Sequence, residues 1–501
     1  MIYAGIDCGT QGTKVILWDA RQKKIIASSY LTYDVISTRP GQKEQDPTLW
    51  LAAIKDGMNA VFTQAKISPS AITGLGVSGQ QHGLVLLDEN HHLLRPAKLW
   101  CDTESVEDLS NFLSEFELKH HETVSACTGI NIPVAFTIAK LLWVKNHEPD
   151  IFSAIHKICL PHEYINLWLT GNHFAESGDA SGTGYFDSFN RCWSRDIVDF
   201  IDPDLFKKLP FLIQSHEPAG YLTDNAAQVL GLPAGISVSS GGGDNMMSAI
   251  GTGNITQGLL TMSLGTSGTL FTHTERQVDS RKQTDINSFC SSSNGWLPLV
   301  STMNVTSAVN SFRHLLDVPI EEFEDYIKQS LPGSAGLYCF PWFNGSRFPD
   351  APHMKASLHG MTSSNFTKPN LLRCVTEGVT YKICKGIDEF RCQGLVFRQI
   401  RVIGGAAKSA TWCQMIADIS GLDVIRPAVT EAAAFGAALQ AQWCKENSES
   451  PERFIPLSEI LPPFLVDSEG DIFTPDRQQQ EIYQKLYYKY HQDLCFYLQN
   501  N

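Results

Sequence analysis

A chain of 501 residues outgrows one hydrophobic core, and its 43% apolar and 18% charged composition supplies a folded globular protein with core enough for two large domains. The net charge of −14 opposes loose attraction to a nucleic-acid backbone or an anionic membrane, so neither is an expected partner. The 13 cysteines form no C-x-x-C pair, which argues against a disulfide framework and a zinc ribbon and for reduced thiols. The first residues enter a strand with no basic and apolar leader before it, and no stretch of 18 apolar residues occurs, so the expectation is a cytoplasmic, unexported chain.

In chain order, Ile2-Tyr-Ala-Gly-Ile6 reads as a strand, Gly9-Thr-Gln-Gly-Thr13 as a tight glycine turn and Lys14-Val-Ile-Leu-Trp18 as a returning strand. Asp46 before Pro47 marks a helix start, with the helix running to about 65. Residues 71–78 predict a buried strand that ends at Gly79-Gln-Gln-His-Gly83, and 84–87 the next strand. Helices are expected over 137–144 and within 150–169. The strand 236–240 runs into Gly241-Gly-Gly-Asp-Asn245, and a helix opens near 246. The first pattern then recurs: a strand over 259–264, the turn Gly265-Thr-Ser-Gly-Thr269 and a return over 270–272. A strand over 400–403, the turn Gly404-Gly-Ala-Ala-Lys-Ser409, a helix over 411–420 and a tyrosine-rich helix over 478–498 follow. Strands alternating with helices predict an α/β fold, and the repeated hairpin predicts two similar halves. Such a turn aims backbone N–H groups and small hydroxyls at one point, which suits phosphate oxygens. Either turn alone is also an ordinary hairpin; the recurrence favours a nucleotide clamp.

Gly5-Ile-Asp7-Cys-Gly9-Thr10, Gly241-Gly-Gly-Asp244-Asn245, Leu264-Gly-Thr-Ser-Gly268 and Ile403-Gly-Gly-Ala406 stand in the order of the FGGY carbohydrate kinases, which the chain resembles over nearly its whole length. Lys140-Leu-Leu-Trp143-Val144 and Leu358-His-Gly-Met361, with Asn370, Leu371, Glu377 and Gly378, are similar to that family's signature segments. The resemblance implies two ribonuclease-H-like domains of the actin and hexokinase type around a cleft, with a sugar-binding part over 1–245 and a nucleotide-binding part over 246–501. It implies ATP and Mg²⁺ as cofactors and a small sugar as acceptor, and leaves a homodimer open. Within the family, Glu44-Gln-Asp-Pro47, Gln80-Gln-His-Gly83, Trp100 and Asp102 are most similar to the branch that phosphorylates D-xylulose.

Phosphoryl transfer to an alcohol needs a base for the hydroxyl proton, a cation on the phosphate and donors for the nucleotide. Asp244, after three glycines at a helix start, is the candidate base, although a plain N-cap fits the same position. Asp7, at the end of the first strand, is the candidate Mg²⁺ ligand and second catalytic residue, although it also fits as a turn cap. Thr10, Gln11 and Thr13 are expected to line the first phosphate turn, and Gly265, Thr266 and Ser267 the second. Lys14 is expected either to add charge there or to face solvent. Gly404 and Gly405 resemble an adenosine site, with Ser409 beside them. The resemblance gives the acceptor Gln81, His82, Asp244 and Trp100, with Asp102 nearby. Two positions depart from the family: relatives often carry methionine at Gln81 and arginine at Glu104. Another pentulose, a polyol or a sugar acid is therefore an alternative acceptor. An actin-like ATPase or an inactive relative is the alternative of another class.

Overall fold

The computed structural model describes residues 1–278, 285–343, 345–351, 353–450, 452–466 and 470–500. Strands β1 (Ile2–Cys8) and β2 (Gly12–Asp19) form the first hairpin, with β3 (Lys24–Thr32) antiparallel to β2. Helix α1 (Pro47–Ala65) starts where Asp46 accepts from the Thr48 N–H and proline takes the first turn, which needs no donor there. Its Trp50, Ile54, Met58 and Val61 recur at helical spacing and pack on the sheet. Strand β4 (Ile72–Gly79) lies parallel to β1, and a long insertion carrying α2 (Pro161–Thr170) separates it from β5 (Pro218–Tyr221), β6 (Ser237–Ser239) and β7 (Gly242–Gly243). Helix α3 (Asp244–Gly251) then leads to the second sheet.

That sheet holds β8 (Leu259–Leu264), β9 (Gly268–Phe271), β10 (Asn287–Ser291), β11 (Gly295–Thr302), β12 (Gln399–Ile403), β13 (Asp423–Pro427) and β14 (Gly470–Phe473). Its helices are α4 (Thr306–Leu315), α5 (Lys368–Cys392) and α6 (Ala410–Ser420), followed by α7 (Ala432–Glu449) and α8 (Arg477–Asn500). The first sheet runs β5-β6-β4-β1-β2-β3 with β7 beside β4; the second runs β10-β11-β9-β8-β12-β13-β14. Each sheet has three antiparallel strands, β1-β2-β3 and β8-β9-β11, the latter with β10 added outside, then two parallel strands beyond its first strand and an antiparallel edge, the ribonuclease-H-like order in duplicate. The repeat foreseen in the two glycine turns is thus a repeat of topology.

Two features differ from the sequence reading. The helix expected within 150–169 is two, Pro149–Ala154 and α2, separated by the strand Lys157–Cys159 paired with Val85–Leu87. Pro161 is the cause, since the residue before a proline is driven to extended backbone and the ring suits the first turn of a new helix. Second, α7 leaves the second sheet and lies on β1 and β4 of the first, against α3. The glycines of that seam have no room for a Cβ. A methyl on Gly5 would stand 1.9 Å from Ala434 O, on Gly76 1.9 Å from Ala437 O, and on Gly436 1.8 Å from Met247 O. Helix α8 packs on α5 and α6 through Tyr483 and Tyr490, which join Phe340, Trp342, Tyr381 and Met415 in a separate aromatic core. Among the described residues no helix is long and apolar enough to cross a membrane.

Candidate active site

The end of β1 is the first fixed point. Asp7 sits between Lys14 of β2 and Ser78 of β4 in register, and the Ser78 hydroxyl donates to Asp7 Oδ1 at 2.8 Å. Burial raises the carboxyl pKa, offset by that bond and by Lys14. Beyond it the first turn closes with the Gly9 N–H on Gly12 O at 3.0 Å. The Thr10 hydroxyl donates to Gln80 Oε1 and accepts from Trp100 Nε1, both at 2.9 Å, which puts Trp100 against the turn. Gln45 ties the same turn down through Thr10 O at 2.7 Å. Gln11 is exposed at the tip. Thr13 is fully buried beside Tyr33, whose hydroxyl donates to Gly9 O at 2.7 Å and accepts from Thr13 at 3.2 Å. Its side chain therefore braces the turn from within and does not line the open face. Lys14 reaches Glu431 at the start of α7, 3.1 Å away.

Strand β4 ends in the loop that carries Gln81 and His82. His82 takes a left-handed backbone (φ 64°), which turns its ring onto Phe136, stacked at 4.6 Å between centroids. Its Nδ1 lies 2.9 Å from Gly182 O, so the neutral ring carries its proton there and Nε2 is the acceptor. Gly182 has to be glycine: a methyl would stand 2.4 Å from His82 Cε1. Gln81 is nearly buried, and both ends of its amide meet protein partners. Oε1 accepts from Asn245 Nδ2 at 2.8 Å, and Nε2 faces Asp179 Oδ1 at 3.4 Å. Expected as a sugar ligand, Gln81 forms part of the wall. Asp179, wholly buried, bonds His162 Nδ1 of α2 through its other oxygen at 2.8 Å, and this pairing outweighs burial and raises the imidazole pKa.

Asp244 opens α3. Its Oδ1 accepts from the Asn245 N–H at 2.8 Å and from Asn245 Nδ2 at 3.0 Å. Burial, then the carboxylates of Asp7 and Asp179, push its pKa up to about 7. Asn245 Oδ1 in turn accepts from the Thr269 hydroxyl of β9 at 2.8 Å. Asp179 and His162 had no signal in the sequence beyond their type, and Thr269 only its place at the end of the second turn; contacts across 17 to 98 positions bring them here.

Asp102 and Glu104 belong to a neighbouring buried cluster. The Lys98 ammonium, fully enclosed, lies 3.0 Å from Asp102, 2.7 Å from Glu104 and 3.3 Å from Glu44, and 3.9 Å above the Trp143 ring. It takes the place a cation would fill among three converging carboxylates. Glu104 also pairs with Arg39, so the charge reversal noted at this position is balanced locally.

The second turn closes with the Gly265 N–H on Ser267 O at 2.9 Å, and the start of α4 grips it from behind. The Thr306 N–H and hydroxyl both reach Gly265 O, at 3.0 and 2.8 Å, and Ser307 reaches Thr266 O at 3.0 Å. Thr266 is exposed. Gly404 (φ 90°) brings the β12 turn against this hairpin, where a methyl would lie 2.6 Å from Leu264 O; a methyl on Gly405 would meet nothing within 4 Å. One glycine permits contact and the next leaves space. Ser409 caps α6, accepting from the Trp412 N–H at 3.1 Å and donating to Glu324, which Thr411 also binds.

Two hairpins of one design and two carboxylates at strand and helix ends define a phosphotransferase of the actin and hexokinase type. Comparison with known proteins agrees. The N-terminal domain of the FGGY family of carbohydrate kinases matches residues 2–251 and its C-terminal domain residues 260–444, and the chain belongs to that family. It is 43% identical to a xylulose kinase of Haemophilus influenzae over 98% of both chains, and 33% identical to one of Escherichia coli over 96% of both. A xyloylose kinase from Brucella ovis superposes with a TM-score of 0.90 at 28% identity over 100% of both chains. The chain is thus an ATP-dependent carbohydrate kinase, and ATP and a sugar are its substrates.

Proposed function

We propose that this chain transfers the γ-phosphoryl group of ATP to the terminal hydroxyl of D-xylulose, giving D-xylulose 5-phosphate, with Asp244 as the base. The observation that carries the assignment of the base is the Asp244 carboxyl itself: it opens α3 beside Asp7 and has its pKa brought to about 7. A base with that affinity is about half ionised at pH 7 and takes a proton readily. Asn245 occupies Oδ1, which directs Oδ2 to the hydroxyl. As the sugar oxygen bonds to the γ-phosphorus, its proton passes to Asp244, the bond from phosphorus to the β-phosphate oxygen breaks, and ADP leaves. The acceptor identity is supported by the names of the similar proteins, xylulose kinases in both sequence and structure.

The residues fit a divalent cation. Asp7 offers a hard carboxylate oxygen, and a cation beside it allows Asp7 and Asp244 to be ionised together. Mg²⁺ held there would neutralise phosphate charge. His82 and Trp100 face the acceptor, Gly265 and Thr266 the phosphates, and Gly405 the adenosine. The sugar part spans 1–245 and the nucleotide part 246–501, with α7 reaching back to the first sheet. A panel of D-xylulose, other pentuloses, polyols and gluconate, assayed for ADP release, tests the reading. D-xylulose is expected to give the highest kcat/KM. Another sugar in that place overturns the acceptor, and release indifferent to every sugar overturns the kinase assignment in favour of an ATPase.

A further inference from the structure

Three parts of the site meet at the side chain of Asn245. Its amide nitrogen donates to Gln81 Oε1 of the acceptor loop at 2.8 Å and to Asp244 Oδ1 at 3.0 Å, and its oxygen accepts from Thr269 of β9 at 2.8 Å. Both N–H donors are used. The reverse orientation of the amide would set its oxygen against the Gln81 carbonyl and the Asp244 carboxylate, two repulsive contacts in place of two bonds, so the orientation is fixed by its partners. Thr269 adjoins Gly268, the end of the second phosphate turn, and pairs with Ser263 and Ser301 in the centre of its sheet. Gln81 belongs to the first sheet's edge of the site.

The far side is equally constrained. Gln81 faces Asp179, which is held by His162, and a methyl on Gly243 would stand 2.6 Å from Gln81 Cγ and 2.8 Å from Asp179 Oδ1. A shift of Thr269 has no slack to disappear into. We propose that Asn245 is a positioning residue that couples the nucleotide hairpin to the acceptor loop, through Thr269 on one side and Gln81 on the other. Seating a nucleotide on the turn Gly265–Gly268 then sets Gln81 and the Asp244 carboxyl for the sugar, and sugar binding favours the nucleotide by the same factor, since linkage is reciprocal. This inference rests on the second hairpin being the nucleotide site, as proposed above.

The test is equilibrium binding of D-xylulose to the full chain by calorimetry, with and without a non-hydrolysable ATP analogue. The wild-type chain is expected to bind the sugar about fivefold or more tightly when the analogue is present. Thr269→Val keeps the shape and the strand but removes the donor, and should bring that factor to within about twofold of one, whereas Thr269→Ser restores it. Asn245→Ala should abolish it as well. Gln81→Met and Thr269→Val should be non-additive, because each breaks the same chain of bonds. A merely structural role for Thr269 would lower stability and leave the factor alone. Wild-type coupling in Thr269→Val, or no coupling in the wild-type chain, overturns the inference. Failure of D-xylulose to bind the wild-type chain overturns the acceptor instead, and the same series then runs with the sugar that the ADP-release panel selects.

Discussion

Asp244 carries a pH dependence whose sign follows from its surroundings. Because burial and the neighbouring Asp7 and Asp179 carboxylates raise its pKa to about 7, kcat/KM for the sugar should climb with pH along an acid limb, which Mg²⁺ beside Asp7 moves below 7 by cancelling the Asp7 charge. Asp244→Asn should lose roughly 10²-fold or more in kcat while the nucleotide still binds. Asparagine caps a helix as well as aspartate, so full activity in that variant would reduce Asp244 to a cap. Stability moves the other way. A carboxyl with a raised folded-state pKa favours the fold fully below its unfolded value near 4 and loses that contribution as pH rises through 7. Asp244→Asn should therefore melt above the wild type at pH 8 and converge with it near pH 4, by calorimetry. Lys98 obeys a different balance. Its ammonium compensates the buried Asp102 and its neighbours, so Lys98→Met should cost about 3 kcal/mol or more in denaturant unfolding, the usual price of stranding a buried charge.

At the scale of elements, how much of this was legible in the chain depends on the range of the contact. The hairpins at Gly9 and Gly265, helix α1 with its Asp46 cap, and the Asp244 turn are local patterns, and they stand where the sequence places them. The seam of α7 was not legible. Ala432 to Ala438 carries no local signal of its packing, and only the pairing with Gly5, Gly76 and Gly251, distant along the chain, shows that its small residues let backbones touch. Thr13 was misjudged for a related reason: strand alternation turns it inward to Tyr33, away from the turn that its position in the motif suggests. Two glycine substitutions separate packing from binding. Gly436→Ala puts a methyl 1.8 Å from Met247 O and should destabilise by about 1–3 kcal/mol or more in thermal or chemical unfolding. Gly405→Ala enters open space and should leave the melting temperature within a degree or so, yet raise the KM for ATP several-fold if adenosine lies over that turn. An unchanged KM there would move the adenosine elsewhere.

The whole molecule offers a last consequence of the duplicated sheet. The residues of the proposed site are divided: Asp7 and the loop of Gln81 and His82 hang from one sheet, the second turn and Gly404 from the other, and α3 with Asn245 stands between them. The links across this division are both polar and apolar: Lys14 pairs with Glu431, and Phe289 of β10 stacks on His82 and lies against Phe136, while the α7 seam on the first sheet is closely packed. Motion should occur by one sheet turning against the other about the packed α3 and α7, with the Lys14–Glu431 pair and the Phe289 contacts adjusting. D-xylulose and a non-hydrolysable ATP analogue together should close the cleft and exclude water from the γ-phosphoryl group. Small-angle scattering should show a smaller radius of gyration with both ligands than with either alone, and an unchanged radius would rule out closure as the step that protects the phosphoryl group. Without sugar the same base faces water, so slow ATP hydrolysis is expected, and Asp244→Asn should suppress it along with the sugar reaction. If hydrolysis persisted in that variant at the wild-type rate, water would be activated by another group, and the open form of the site would differ chemically from the closed one.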